Sequence, residues 1–182
     1  MAAAPAPAFP VTARLRNGVD VTIRPLRADD RDRVANAVRH LDRESIYTRL
    51  FSYRTELTDA GLDRIMRVAP QRDAMLVVTR GGGADETLIA SGRFIGSSDA
   101  GERTAEVAFV VEEDYQGQGL AGRLLGHLAA IARQRGLSAL TAEVLAENKA
   151  MLAVFAKSGL PMRTRREGGV LHVSMALGSG AA

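Results

Sequence analysis

Hydrophobic and polar positions switch between strand spacing and helical spacing along the chain up to residue 111. The segments with strand spacing are residues 21–26, 74–80, 87–96 and 105–111. The segments with helical spacing are a helix from Asp29 or Asp30 to about Leu41, a short piece at 45–51, and a helix that follows Thr58. Asp and Thr are common helix caps, and the short polar gap before residue 87 predicts a hairpin.

The longest helical pattern begins at Leu120 and ends before Gly136, which is placed to terminate it. After it come a predicted strand at 140–145, a helix capped by Asn148 that reaches about Lys157, and two strands, 162–167 and 170–177, joined through Gly168 and Gly169. This order predicts the α/β class with a mixed, mostly antiparallel sheet flanked by helices. It differs from the regular alternation of a doubly wound parallel sheet.

The length of 182 residues and an apolar share of 46% predict one domain over residues 11–177. The Ala/Pro-rich start, 1–10, and the end, 178–182, are expected to be flexible tails. No apolar run approaches the roughly 18 residues of a membrane span. The start also lacks the basic and apolar regions of a secretory signal. We therefore expect a cytoplasmic protein without a membrane partner.

The absence of cysteine excludes a disulfide scaffold, a cysteine nucleophile and a thiolate zinc site. His40, His127 and His172 are far apart in the sequence, so no metal site is expected. The net charge of +3 could indicate nucleic acid, but the basic residues are scattered among acids. Aromatic residues for base stacking are only 4% of the chain, so no nucleic-acid partner is expected.

A glycine-rich loop joins the predicted strand 105–111 to the helix at Leu120. Glycines at 117, 119 and 122 let the backbone turn tightly and approach a ligand, and the first N–H groups of a helix attract phosphate oxygens. Arg123 could add a charged donor. There is no GxxxxGK[ST], which excludes a P-loop nucleotide site.

The three glycines also satisfy GxGxxG, the pattern of dinucleotide-binding folds, and Glu143 lies near the distance expected of a ribose-binding acid. Residues 112–116 separate the strand from the first glycine, however, and only about 60 residues follow Gly122. A Rossmann unit has a direct strand-to-glycine connection and further βα units. The dinucleotide alternative is therefore weak.

Residues 116–121, QGQGLA, also match [QR]-x-x-G-x-[GA], the pyrophosphate loop of the GNAT superfamily of acyl-CoA-dependent N-acyltransferases. The chain resembles this superfamily from about residue 21 to 177. Residues 148–160 are similar to its fourth-helix signature, with Gly159-Leu160 in place of Gly-Phe. The closer resemblance is to bacterial Pat-like protein lysine acetyltransferases, through residues 41–51 and 105–121. Such enzymes can carry a regulatory cyclic-nucleotide domain, for which we expect no room in this chain.

The resemblance implies that acetyl-CoA is the co-substrate and that no metal takes part. It also implies which residues contact the coenzyme. The pyrophosphate is expected on the backbone of Gln116, Gly117, Gln118, Gly119, Leu120, Ala121 and Gly122, beside Arg123. Pantetheine is expected along Phe109, Val110 and Val111, with Asn148 on the cofactor arm and Phe155 at the usual place of a tyrosine acid. In this family Val110 or Val111 would also donate an N–H to the thioester carbonyl.

Acetyl transfer to an amine needs a base, because an alkyl ammonium with a pKa near 10.4 costs about 4–5 kcal/mol to deprotonate at pH 7. Glu106 is the only acid within the apolar strand 105–111. Strand alternation alone is consistent with a Glu106 that simply faces water, whereas Pat-like enzymes place their base at the matching position. We expect a partly buried Glu106 that acts as general base.

Phe155 cannot donate a proton, which puts a dedicated general acid in doubt and keeps a non-catalytic acyl-CoA sensor as an alternative. Tyr115 is expected to be a packing aromatic. The leading acceptor is a protein lysine, and a small-molecule amine is the second. We expect the acceptor over the N-terminal helices near residues 49–53, and a homodimer is possible. Residues 112–114, all acidic, could attract a cationic amine or form a solvated turn.

Overall fold

The computed structural model describes residues 8–40, 58–99 and 101–178. Within these ranges eight strands form one sheet in the order β1-β2-β3-β4-β5-β6-β8-β7. The strands are β1 Val11–Arg14, β2 Asp20–Pro25, β3 Asp73–Arg80, β4 Thr87–Gly96, β5 Thr104–Val111, β6 Ala139–Leu145, β7 Met162–Glu167 and β8 Val170–Ala176. Every neighbouring pair is antiparallel except β5 and β6, which are parallel. The predicted mixed, mostly antiparallel sheet is confirmed.

Four α-helices are described: α1 Arg31–His40, α2 Asp59–Met66, α3 Leu120–Gln134 and α4 Lys149–Ala156. Short 3-10 turns occur at Ala28–Asp30, Gly83–Asp85 and Glu113–Tyr115. No helix in the described ranges is long and apolar enough to cross a membrane. The helical piece predicted at 45–51 and the expected acceptor region at 49–53 lie outside the described residues.

The helices cover the sheet on both faces. Leu124, Leu125 and Leu128 of α3 are buried in a large core cluster that also contains Phe109 of β5. A smaller cluster joins Val34 of α1 and Leu62 of α2 to Met75 and Val77 of β3. Because β5 alternates, its buried side chains lie on the α3 face and Glu106 lies on the other.

The first strand, β1, was not predicted. Its four residues follow a Pro-rich start and carry too short an alternation to stand out, yet they pair in full register with β2. Phe9 lies within the segment predicted as a flexible tail. Its ring packs edge-on against His127 of α3, with 5.8 Å between the ring centroids.

Two of the predicted helix caps are confirmed. The Thr58 Oγ1 atom accepts a hydrogen bond from the Gly61 N–H at 3.1 Å, and the Asn148 Oδ1 atom accepts one from the Met151 N–H at 3.1 Å. Asp30 is different, because it ends the 3-10 turn that precedes α1 and is fully buried. Its carboxylate accepts the Arg27 N–H at 2.8 Å and forms ion pairs with Arg24 and Arg33, so Asp30 belongs to a buried ion cluster.

The ion cluster joins β2, the start of α1 and the β3–β4 hairpin. The Arg24 guanidinium donates to both Asp30 oxygens at 2.7 and 2.8 Å and to Glu86 at 2.9 Å. Burial by itself would raise the pKa of Asp30, but the hydrogen bonds from Arg24 and the Arg27 backbone hold that pKa below its usual value. The cluster therefore stabilises the fold only while Asp30 is ionised.

Replacing Asp30 by Asn should lower the free energy of unfolding by about 3 kcal/mol, because the buried Arg24 then keeps only Glu86 as a charge partner. In the unmodified protein, the contribution of Asp30 is fully present above the unfolded pKa, near 4, and is lost as pH falls through the lower folded pKa. Urea unfolding at pH 7 and over the acid range measures both effects. Asp29→Asn, an exposed change in the same turn, is the matched control and should leave stability nearly unchanged.

Candidate functional site

A groove opens where β5 and β6 stop pairing. The parallel register covers only Thr104–Glu106 against Ala139–Thr141, while β5 continues to Val111 and β6 to Leu145. On the α3 face the resulting groove has a volume of about 870 Å³. Its walls are the end of β5, the glycine loop, the first turn of α3 and one side of α4.

The glycine loop needs glycine for its conformation at two positions. Gly117 has φ +71° and Gly119 has φ +84°, a backbone region that side chains other than glycine rarely adopt. A Cβ atom built at Gly117, Gly119 or Gly122 would have no protein atom within 4 Å. Packing within the protein therefore does not require these glycines. The open space beside all three of them is part of the groove.

The N-terminus of α3 is built to receive an anion. Gly119 is its N-cap, no side chain caps it, and its first turn has no acidic residue. Intrahelical bonding starts with the Arg123 N–H, which donates to Gly119 O at 3.1 Å. The N–H groups before Arg123 have no acceptor in the preceding turn of helix, and Arg123 itself adds positive charge where the helix dipole is already positive. A phosphate group would satisfy both features.

Sequence reasoning missed Arg16, which lies in the turn between β1 and β2. Its Nη1 atom donates to Gly117 O at 3.4 Å, and the neighbouring Asn17 N–H donates to Gln118 Oε1 at 3.2 Å. Arg16 lines the groove, as do Arg123 and Lys157. No local pattern could reveal Arg16, because 101 residues separate it from the loop. Three cations thus line the groove that contains the place predicted for the pyrophosphate.

Some of the residues that the sequence predicts beside pantetheine line the groove, and others do not. Phe109 and Val111 line the groove, and the Gln116 side chain donates to Val111 O at 3.5 Å. Val110 points to the opposite face of β5. Asn148 lines the groove while it caps α4, so the cap leaves room for the predicted contact with the coenzyme.

Phe155 lies under the groove. It is 1% exposed, and its ring centroid is 6.4 Å from that of Phe109. Met151 and Val154 of α4 form the nearby groove surface instead. Tyr115 is half-buried against the core, with the Arg80 guanidinium 5.8 Å from its ring centroid, which confirms the predicted packing role.

Glu106 is exposed, so the partial burial expected from the sequence is wrong. Strand alternation explains the difference, because Ala105 and Val107 point into the core and Glu106 must then point out. Its side chain lines a second cavity, of about 360 Å³, on the face away from α3. At about 3.3 Å per residue, β5 spans about 17 Å between Glu106 and the glycine-loop end at Val111.

The acidic segment 112–114 forms part of a 3-10 turn with exposed Glu113 and Asp114, consistent with a solvated turn. Glu113 also lines the mouth of the groove. Among the residues that the structure describes, no group of three or more His, Asp or Glu side chains could hold a metal ion.

Comparison with known proteins gives the family. Residues 37–160 match the family model described as Acetyltransferase (GNAT) family. The chain belongs to the GNAT acetyltransferase family. Membership confirms the predicted enzyme class, an acetyltransferase that uses acetyl-CoA, and it settles the choice against a dinucleotide-binding fold.

The Pat-like resemblance is also confirmed at the level of sequence and fold. This GNAT chain is 32% identical over 150 residues to Acetyltransferase Pat of Mycolicibacterium smegmatis, covering 82% of the chain and 44% of the relative. An acetyltransferase of Pseudomonas aeruginosa is 29% identical over 75% of the chain and 73% of its own length. The crystal structure of the GNAT domain of S. lividans PAT is 31% identical, with a TM-score of 0.80 over 92% of this chain and 96% of that domain. The chain thus spans less than half of the M. smegmatis relative.

Proposed function

We propose that this GNAT protein transfers the acetyl group of acetyl-CoA to the Nε atom of a protein lysine, with Glu106 as general base. The observation that carries the proposal is the gap between β5 and β6, which has a chemically different cavity beside it on each face of the sheet. The groove on the α3 face suits a long anionic coenzyme. The cavity on the opposite face has a carboxylate at the start of the gap.

The coenzyme would lie with its pyrophosphate over Gln116–Gly122 and its pantetheine arm along Phe109–Val111. Arg16 and Arg123 would offset the negative charge of the phosphates. Asn148 would bond the arm from the α4 side. In this pose the thioester reaches the β5–β6 gap, where the Val110 or Val111 N–H would stabilise the oxyanion formed on its carbonyl oxygen.

The reaction would proceed by direct transfer. Glu106 accepts a proton from the acceptor ammonium through a water molecule, and the neutral nitrogen attacks the thioester carbon. The C–N bond forms, the C–S bond breaks, and coenzyme A leaves as a thiolate that water protonates. The chain contains no cysteine, so an acyl-cysteine intermediate on the enzyme is not available. Phe155 contributes packing and no proton.

The choice of lysine rests on the Pat-like resemblance of residues 41–51 and 105–121. Relatives at about 30% identity carry the Pat name. A polyamine or another small amine is the competing acceptor.

The test is coenzyme A release from acetyl-CoA with lysine peptides, polyamines and small primary amines as acceptors. We expect turnover with lysine peptides that exceeds turnover with every free amine. Activity on polyamines alone would reject the protein acceptor. Tight acetyl-CoA binding without turnover on any amine would support a sensor instead.

A further inference from the structure

The cavity that contains Glu106 is organised as a row of side chains across four strands. Glu106 of β5 pairs with Thr141 of β6, Thr141 with Ser174 of β8, and Ser174 with Arg163 of β7. Residues in register on neighbouring strands point to the same face. The row therefore begins at a carboxylate and ends at a guanidinium, with two hydroxyl groups between them.

A second row runs beside the first, two residues further along β6. Glu143 pairs with His172 of β8, and His172 pairs with Arg165 of β7. All members of both rows line the same cavity. The cavity is thus acidic at the β5–β6 side and basic at the β7 side.

The basic side chains at the β7 side of the cavity differ in whether they already have an ion-pair partner. The His172 ring lies 3.3 Å from a Glu143 oxygen and 3.4 Å from a Glu167 oxygen, and Arg165 lies 3.2 Å from Glu167. The Arg163 side chain is exposed, and its guanidinium makes no hydrogen bond or ion pair within the described part of the chain. The basic end can therefore accept an additional anion, first at Arg163.

The separation of the two ends sets the size of a ligand that would contact both. At about 4.8 Å between neighbouring strands, the backbone at Arg163 lies about 14 Å from the backbone at Glu106. Long side chains shorten that span. A lysine ammonium beside Glu106 and a carboxylate a few residues along the same peptide would fit this arrangement.

We propose that the acceptor is a lysine with an acidic residue nearby in its sequence, and that Arg163 and Arg165 bind the acidic side chain. The inference rests on the proposed function, because it assumes that a lysine enters beside Glu106. A polyamine carries only positive charge, so its far end would meet the two arginines unfavourably. The charges in the cavity would then favour lysines in acidic protein segments over free polyamines as acceptors.

The experiment compares peptides that differ at one position, two residues before or two residues after the acceptor lysine. That position carries Glu, Gln or Lys. For the preferred side, kcat/KM should be about fivefold higher with Glu than with Gln, and lowest with Lys, as expected for a partly screened ion pair. The Glu advantage should shrink at high salt.

Variants of β7 assign the effect to the arginines. R163Q and R165Q should reduce the Glu advantage, mainly through KM, and R163E should shift the preference towards the Lys peptide. R166Q is the matched control, because Arg166 lies on the opposite face of the same strand and should keep the wild-type preference. Unchanged coenzyme A affinity in each variant shows that the fold is retained.

Equal kcat/KM for the Glu, Gln and Lys peptides on both sides of the lysine would overturn this inference and leave the proposed function intact. An acidic preference that survives in both R163Q and R165Q would also overturn it. Failure of every lysine peptide would overturn the proposed function as well.

Discussion

Replacing Glu106 by Gln is expected to lower kcat at least tenfold while acetyl-CoA affinity changes little. The amide keeps the size of the side chain but cannot accept the proton that the acceptor ammonium must lose. Because Glu106 lies on the face away from the glycine loop, the coenzyme contacts should be retained. Steady-state kinetics with a lysine peptide, together with a binding titration of acetyl-CoA, measure the two quantities.

The decrease in kcat caused by E106Q should be smaller at high pH, where more of the acceptor amine is already neutral. E102Q is the matched control, since Glu102 is an exposed acid just before β5 that lines neither cavity. It should retain wild-type turnover. Unchanged kcat in E106Q would remove Glu106 from the mechanism.

Replacing Gly122 by Glu is expected to have opposite effects on the free protein and on the complex. Gly122 lies in the first turn of α3, and a Cβ there meets no protein atom within 4 Å. Glutamate favours helix more than glycine does and interacts well with the positive helix end, so the free protein should gain about 1 kcal/mol. The same carboxylate would occupy the phosphate site and repel the coenzyme.

We expect the Kd for coenzyme A to rise at least tenfold, or about 1.4 kcal/mol, in G122E. G126E is the matched control, because Gly126 is exposed one turn later on α3 and does not line the groove. It should gain helix stability without losing affinity. Thermal unfolding and a coenzyme A titration read both outcomes. Equal affinities in the two variants would place the phosphates elsewhere.

The glycine loop and α3 could be predicted from the sequence because their signals are local. Two glycines with positive φ and the helix that follows Gly119 lie within a few residues of one another. The caps at Thr58 and Asn148 were predictable for the same reason. Each side chain accepts an N–H three residues later in its own helix.

The features that were missed depend on residues far apart in the chain. Arg16 reaches the loop because a hairpin at the other end of the sequence folds beside it. Asp30 looks like a helix cap locally, whereas its buried position is decided by Arg24 on β2 and Glu86 on the β3–β4 hairpin. Tertiary contacts of this kind override the local preference for capping.

The site itself shows the same limit. Glu106 could be selected from the sequence because it is the one acid in its strand. Its burial could not be decided, because strand alternation was also consistent with the exposed position that the structure shows. The charge rows that end at Arg163 and Arg165 depend on the register of four strands. Register between strands that are distant in sequence is not encoded in any one of them.

The most direct test of acetyl transfer to lysine is to locate the transferred group. The protein is incubated with isotope-labelled acetyl-CoA and a lysine peptide whose N-terminus is blocked, and the peptide is sequenced by mass spectrometry. We predict one labelled acetyl group on the lysine Nε atom, formed in step with coenzyme A release and much more slowly by the E106Q variant. Coenzyme A release without a labelled lysine, or no release at all, would contradict it.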